Sequence, residues 1–332
     1  MINLTSNTLL LDIETSGLKR QIDIIISIGI ISFSNNKPVL KHWFLENKED
    51  EKSLLESFLH FLKDYKIIYS YYGKSFDYPF LLSRMKVHNL DTKDFFKLKL
   101  IDTKEALKHF ETQRKEMEKR LHFHRQSTIK SKEVIKLYDT FCTSKEPIYR
   151  TLILKHQKDE LYSLLAFWEL YQTLMHCDQA LSCFQTQTPT QLEVTLTFSD
   201  VFTHTFTGNA FNWHFAYEEG SPTLTITMPL ITESLKQYLQ PVKDYYYIES
   251  QNQVIHKSLA QFIPASLKRR AAKEECAVHK SSTYLKIYST YKLAAPICYD
   301  AHKGMYIDVK DLTLEILAHQ IFSLFFQRLS SK

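Results

Sequence analysis

The apolar positions of this chain change their spacing as it proceeds, and each spacing predicts a different kind of element. Leu9-Leu10-Leu11-Asp12-Ile13-Glu14-Thr15-Ser16-Gly17 is a short apolar run that closes on a turn glycine, the pattern of a buried central strand. Ile24–Phe33 is β-branched and strand-like, and Asn35-Asn36-Lys37-Pro38 turns the chain into a third strand over Val39–Leu45. Leu54, Leu55, Phe58, Leu59 and Leu62 then fall at helical spacing within 51–65. A short strand over Ile67–Tyr71 leads to Gly73-Lys74-Ser75-Phe76-Asp77, and Pro79 can open the helix that follows. Phe96–Ile101 reads as a further strand ending at Asp102. Three strands followed by alternating helix and strand predict an α/β core built on a mixed sheet.

Residues 103–140 are basic and helix-prone, and 149–175 read as one long helix with Leu161, Leu164, Leu165 and Trp168 toward the core. The polar stretch Thr186–Thr190, with Pro189, predicts a linker. Beyond it the period becomes two, at Leu192, Val194, Leu196 and Phe198, at Phe211, Trp213 and Phe215, and at Leu224, Ile226 and Met228. Tyr245–Ile248 adds a strand, whereas Val254–Phe262, Ser266–Cys276 and Asp311–Leu329 read as helices. The expected organisation is one domain over 1–180 and a smaller α+β region over 190–332.

Two carboxylates interrupt the first strand. Side chains alternate across a strand, so Asp12 and Glu14 share a face. Paired like charges on a buried strand are costly unless a cation neutralises them, and hard oxygen ligands suit Mg²⁺ or Mn²⁺. Asp77 at a strand-to-helix junction and Asp159 in the long helix bring the set to four acids. Four acids can hold two divalent ions about 4 Å apart, an arrangement suited to phosphodiester hydrolysis. The surface charge agrees with a polyanionic partner. Residues 99–158 carry fifteen Lys and Arg against eight Asp and Glu, and 241–310 carry eleven against six, within a net charge of +5. Solvated helix faces would give similar counts.

Leu11-Asp12-Ile13-Glu14-Thr15-Ser16-Gly17-Leu18 is similar to the first motif of the DEDD 3′–5′ exonucleases of the ribonuclease H-like superfamily. Tyr71-Tyr72-Gly73-Lys74-Ser75-Phe76-Asp77-Tyr78-Pro79-Phe80-Leu81 resembles their second motif, in the form of the bacterial YprB-like branch, and His156-Gln157-Lys158-Asp159-Glu160-Leu161 occupies the third. The resemblance implies a ribonuclease H-like, mixed five-stranded sheet with three antiparallel strands and helices on both faces. It implies that Asp12, Glu14, Asp77 and Asp159 bind two Mg²⁺ or Mn²⁺ ions and that Thr15 lies near the terminal nucleotide. The implied reaction is metal-dependent release of nucleotides from a single-stranded 3′ end of DNA or RNA.

The chain also departs from that pattern. Tyr72 stands where relatives carry Asn, and Lys155 and Leu154 stand four and five residues before Asp159, where relatives carry His or Tyr. His156 is then a candidate general base or a polar helix-surface histidine. Lys74 is a candidate phosphate contact or a solvent-facing lysine, and Asp102 a site neighbour or a helix N-cap. The tyrosines of 245–247 near Lys268-Arg269-Arg270 stack bases or sit on a half-buried strand. These departures leave a second expectation open, a catalytically impaired module that binds nucleic acid, and a third, a phosphoesterase acting on a small nucleotide. Five cysteines without a C-x-x-C pair favour a reducing compartment, no apolar stretch is long enough to span a bilayer, and a cytoplasmic protein is expected.

Overall fold

The computed structural model describes residues 7–35, 37–290 and 292–326. Two compact units result: Met1–Ser182 with Leu196–Phe211 and Phe215–Leu224, and Cys183–Thr195 with Asn212–His214 and Thr225–Lys332. The boundary is therefore several crossings of the chain rather than one cut.

The first unit is built on β1 (Thr8–Thr15), β2 (Ile25–Ser34), β3 (Lys37–Phe44), β4 (Ile67–Ser70) and β5 (Lys99–Asp102), in the order β3-β2-β1-β4-β5. β2 runs antiparallel to both of its neighbours, β1 and β3, and β4 and β5 run parallel to β1. This is the mixed five-stranded sheet expected from the sequence. One face carries Leu9, Leu11, Ile13, Ile26, Ile28 and Ile30, which join a core with α1 (Glu51–Leu62) and α2 (Asp77–Val87) through Leu55, Phe58, Phe80, Leu81 and Met85. Fully burying a side chain of this size is worth roughly 1.5–3 kcal/mol. One charged group sits within this core. Glu51 accepts from Arg84 Nη2 at 2.6 Å, from His88 Nε2 at 2.7 Å and from the Ile25 N–H at 2.9 Å. Burial opposes its ionisation, but these donors outweigh it and hold the carboxyl below its ordinary range.

Short helices α3 (Lys93–Phe96), α4 (Thr103–Leu107) and α5 (Arg114–Arg120), then α6 (Ser131–Ser144), lead to α7 (Pro147–Met175). That last helix starts on a proline at its first position and crosses the other face of the sheet for 29 residues.

In the second unit the two-residue period is seen directly: β7 (Gln191–Thr197) alternates buried and exposed positions, following β6 (Ser182–Gln187). The predicted linker at Thr186–Thr190 is thus the end of β6 and a tight turn, closed by the Gln191 N–H donating to Thr188 Oγ1 at 3.0 Å. β8 (Phe206–Ala210), which belongs to the first unit, and β9 (Trp213–Tyr217), divided between the two, alternate in the same way. β10 (Thr223–Tyr238) pairs antiparallel with β14 (Ala277–Ile287), which also pairs with β16 (Met305–Asp308) beside β15 (Cys298–Tyr299).

Two expected helices are not formed. Val254–Phe262 divides into β12 (Gln253–His256) and the one-turn α8 (Lys257–Ala260), and Ser266–Cys276 contains β13 (Arg269–Arg270). Both strands pair with β11 (Tyr245–Ile248), placing Arg270 opposite Tyr246 and Arg269 opposite Tyr247, with each guanidinium 4.4 Å from its ring centre. Cross-strand stacking of cation on ring overrides the helical propensity of this stretch. The region is accordingly β-rich, closing on α9 (Leu314–Phe326); residues 327–329 of the predicted terminal helix lie outside the described residues. Among the described residues no helix is long and apolar enough to cross a membrane.

Candidate active site

The end of β1 is where the acids gather. β1 pairs with β4 only over Thr8–Leu10, so beyond Leu10 that edge of the strand is open. The Ile13 N–H on the open edge donates to Asp77 Oδ1 at 3.1 Å across 64 residues of sequence. This bond sets the second motif's acid between Asp12 and Glu14. A bulge between Glu14 and Thr15 in the β1–β2 pairing then turns the strand end away, and Thr15 Oγ1 donates to the Gly17 carbonyl at 2.7 Å.

Asp77 is presented by a turn that leaves β4 and enters α2. Asp102 ties that turn together: Oδ1 accepts the Tyr72 N–H at 2.9 Å and the Lys104 N–H at 3.1 Å, and Oδ2 accepts the Lys74 N–H at 3.2 Å. It is the N-cap of α4 and a clamp on the second motif at once. Gly73 is required here, because a Cβ would lie 1.9 Å from Ser70 Oγ. Tyr72 has φ of +66°, the left-handed region that Asn enters more readily than Tyr. The tyrosine keeps the backbone form and exchanges a small amide for an exposed ring with Lys104 Nζ 4.1 Å from its centre. Lys74 Nζ pairs with Glu105 at 2.7 Å on the surface.

The long helix α7 closes the site from above. Gly29 is the register partner of Asp12, and a Cβ on it would lie 2.7 Å from Leu161 and 2.8 Å from Gln157. The bare backbone lets α7 press onto β1 and β2. Gln157, fully buried, bonds in three directions: Nε2 to the Asp12 carbonyl at 3.1 Å, Oε1 from Ser27 Oγ at 2.6 Å, and Oε1 with His42 Nδ1 at 2.9 Å.

The neighbouring residues follow the helix period. His156 Nε2 lies 3.6 Å from Glu14 Oε1 and 3.7 Å from Glu160 Oε1. Asp159, one position off that stripe, accepts the Ser127 N–H at 2.6 Å through Oδ2. On the pocket side of α7 the structure therefore puts Glu160 rather than Asp159. The signal for this was present in the sequence: His156 and Glu160 are four apart and share a helix face, the spacing that relatives show between their aromatic or His and their last acid.

Glu160 is not free. Arg114 Nη1 reaches its Oε2 at 2.8 Å and Arg125 Nη1 its Oε1 at 2.5 Å. Both guanidiniums also bind Glu118, Arg125 Nη2 at 2.6 Å and Arg114 Nε at 3.3 Å. Arg114 further donates to the Glu160 carbonyl and to Ser163 Oγ, and packs on the rings of Tyr71 and Phe167. Two arginines and two glutamates form one largely buried network, with both arginines in a segment whose composition is basic and helix-prone.

Electrostatics follow from burial. Asp12 and Glu14 are pushed well above the ordinary carboxylate range, first by desolvation, then for Asp12 by the charges of Glu160 and Asp77, and for Glu14 by those of Asp12, Glu160 and Asp77. Desolvation likewise pushes Asp77 up to about 7, against the bond from Ile13 N–H. Burial lowers His156, against the opposing charge of the nearby Glu160. Glu160 is the exception: burial opposes its charge, and the two arginines hold it below the usual range.

These residues can be tested against a divalent ion. Asp12 Oδ2 is buried with no hydrogen-bond partner, a lone acceptor beside two further carboxylates whose charges repel. Such a donor set, all hard oxygen, fits Mg²⁺ or Mn²⁺ on Asp12, Glu14 and Asp77. Among the described residues no group of three or more His, Cys, Asp or Glu side chains stands arranged to hold a metal ion.

The family model of the RNase_H superfamily matches residues 9–175. A stretch of 50 residues is 38% identical to a DNA polymerase of Methanocaldococcus jannaschii, covering 15% of this chain and 3% of that protein. A solved family B DNA polymerase from the hyperthermophilic archaeon Pyrobaculum calidifontis aligns with 93% of this chain and 40% of its own, at 10% identity and a TM-score of 0.44. The matched residues of the family model span β1 to the last residue of α7 and contain all three acid-bearing segments. Matched over half its length, the chain belongs to the RNase_H superfamily.

Proposed function

We propose that this chain is a divalent-metal-dependent nuclease that hydrolyses phosphodiester bonds, releasing nucleotides from a single-stranded 3′ end of nucleic acid in the cytoplasm. In this reading it is a DEDD exonuclease nearest the YprB-like branch. The observation that carries the reading is the Ile13 N–H to Asp77 Oδ1 bond, which joins the first two acid motifs at one strand end. Asp12, Glu14 and Asp77 hold the metal, which supplies water activation and neutralises phosphate charge when bound. His156, its Nε2 3.6 Å from Glu14, is the candidate general base of this reading. Tyr72 offers its exposed ring to the terminal base, and Lys74 would exchange its surface pairing with Glu105 for a substrate phosphate. Thr15, whose hydroxyl is spent on the turn, faces the terminal nucleotide as a backbone wall.

The clamp on Glu160 favours a second reading, a module that binds nucleic acid without cutting it. A 5′-labelled single strand of DNA or RNA incubated with Mn²⁺ separates the two. Stepwise shortening from the 3′ end, reduced by at least about 10³-fold in Asp12→Ala, supports the nuclease. A retained but uncut strand supports the binding module.

A further inference from the structure

The four-acid pattern calls for two ions, yet the fourth acid is already neutralised. Arg114 and Arg125 together carry two positive charges, Glu118 and Glu160 two negative ones, and each arginine contacts both glutamates. The quartet is neutral by itself and has its carboxylate oxygens engaged. Glu160 is nevertheless part of the pocket, since its Oε1 and that of Glu14 flank the same His156 Nε2 at 3.7 and 3.6 Å. Asp159, the other acid of the third motif, is committed to the Ser127 N–H. Both oxygens of Glu160 are thus engaged by guanidiniums, and Asp159 lies off the helix stripe that faces the pocket.

We infer that the Arg114–Arg125 pair supplies from the protein the positive charge that a second divalent ion would bring, so that the pocket takes one ion, on Asp12, Glu14 and Asp77. This rests on the reading of those acids as a metal site. The guanidiniums are held in place rather than recruited with substrate. Arg114 is fixed by Glu118, Glu160 and Ser163 and by the faces of Tyr71 and Phe167, and only 18% of its side chain is exposed. A cation so anchored cannot be diluted away, unlike a weakly held second ion. The consequence is a simple saturation law in metal concentration, with one site rather than two.

Counting Mn²⁺ by the electron paramagnetic resonance signal of the free ion tests this on the intact chain, without any turnover. One bound ion per chain is expected, remaining one in Glu160→Gln and falling to none in Asp12→Asn. Two ions in the unaltered chain, dropping to one in Glu160→Gln, would overturn the inference while leaving the nuclease reading intact. No bound ion at all would overturn both. One ion with no strand cleavage supports the inference and counts against the nuclease reading alone. The count on the unaltered chain decides the matter even if a variant fails to fold.

Discussion

At the scale of single residues, the site is defined by side chains held in states that folding alone would disfavour. Asp77 shows this best. Its carboxyl rises from an ordinary 3.8 to about 7 because burial penalises its charge. A folded chain that binds a proton more tightly than the unfolded one loses stability as pH rises between those two values. The metal-free protein should therefore be less stable at pH 8 than at pH 5. Asp77→Asn keeps an acceptor for the Ile13 N–H and removes the charge. Urea unfolding in the presence of a chelator should find it more stable by about 2 kcal/mol at pH 8 and nearly unchanged at pH 4. Equal stability of the two proteins at pH 8 would contradict the account. That Asp12, Glu14 and Asp77 come together at the end of β1 was legible in the sequence, because each sits at a strand end or a strand-to-helix junction. Glu160 was not, because Asp159 and Glu160 are adjacent acids and only the helix phase, set by His156 and Gln157, distinguishes them. Arg114 and Arg125 were hidden for a different reason. Their role depends on partners 35 to 49 residues away, and a local count of basic residues cannot separate a buried clamp from a solvated face.

At the scale of elements, the placement of α7 against β1 and β2 decides whether the acids meet. The gap that admits it is one missing side chain, at Gly29, filled by Leu161 and Gln157. Gly29→Val should push the helix outward and destabilise the protein by about 1–3 kcal/mol, the usual cost of overpacking, read as a lowered unfolding midpoint. If Gly29→Val leaves both midpoint and metal binding unchanged, the contact is not what seats the helix. Glycine is scarce in this chain, six in all, and Gly29 and Gly73 both stand where a Cβ would collide with a neighbour. The strands and helices of the first hundred residues were readable for the same physical reason: their apolar runs are strongly periodic and each is bounded by a turn residue. Where the reading failed, at 254–276, a basic stretch of moderate helical propensity was drawn into a sheet by the rings of Tyr246 and Tyr247. Pairing across sequence distance is invisible to a local pattern.

At the scale of the molecule, unit one carries the superfamily fold and every acid of the pocket, while the β-rich unit two shares with it several crossings of the chain. The composition anticipated a basic protein with free thiols, and Cys142, Cys177, Cys183, Cys276 and Cys298 are all unpaired. It did not anticipate that two of the cations would turn inward. The central claim is that carboxylates from separate segments form one cation-binding pocket at the end of β1. An anomalous difference map from a crystal soaked in Mn²⁺ tests it most directly. The account predicts a peak about 2.1 Å from oxygens of Asp12 and Glu14, with Asp77 completing the shell. A map with no peak there, or with the ion held by Asp159 and away from β1, would contradict it.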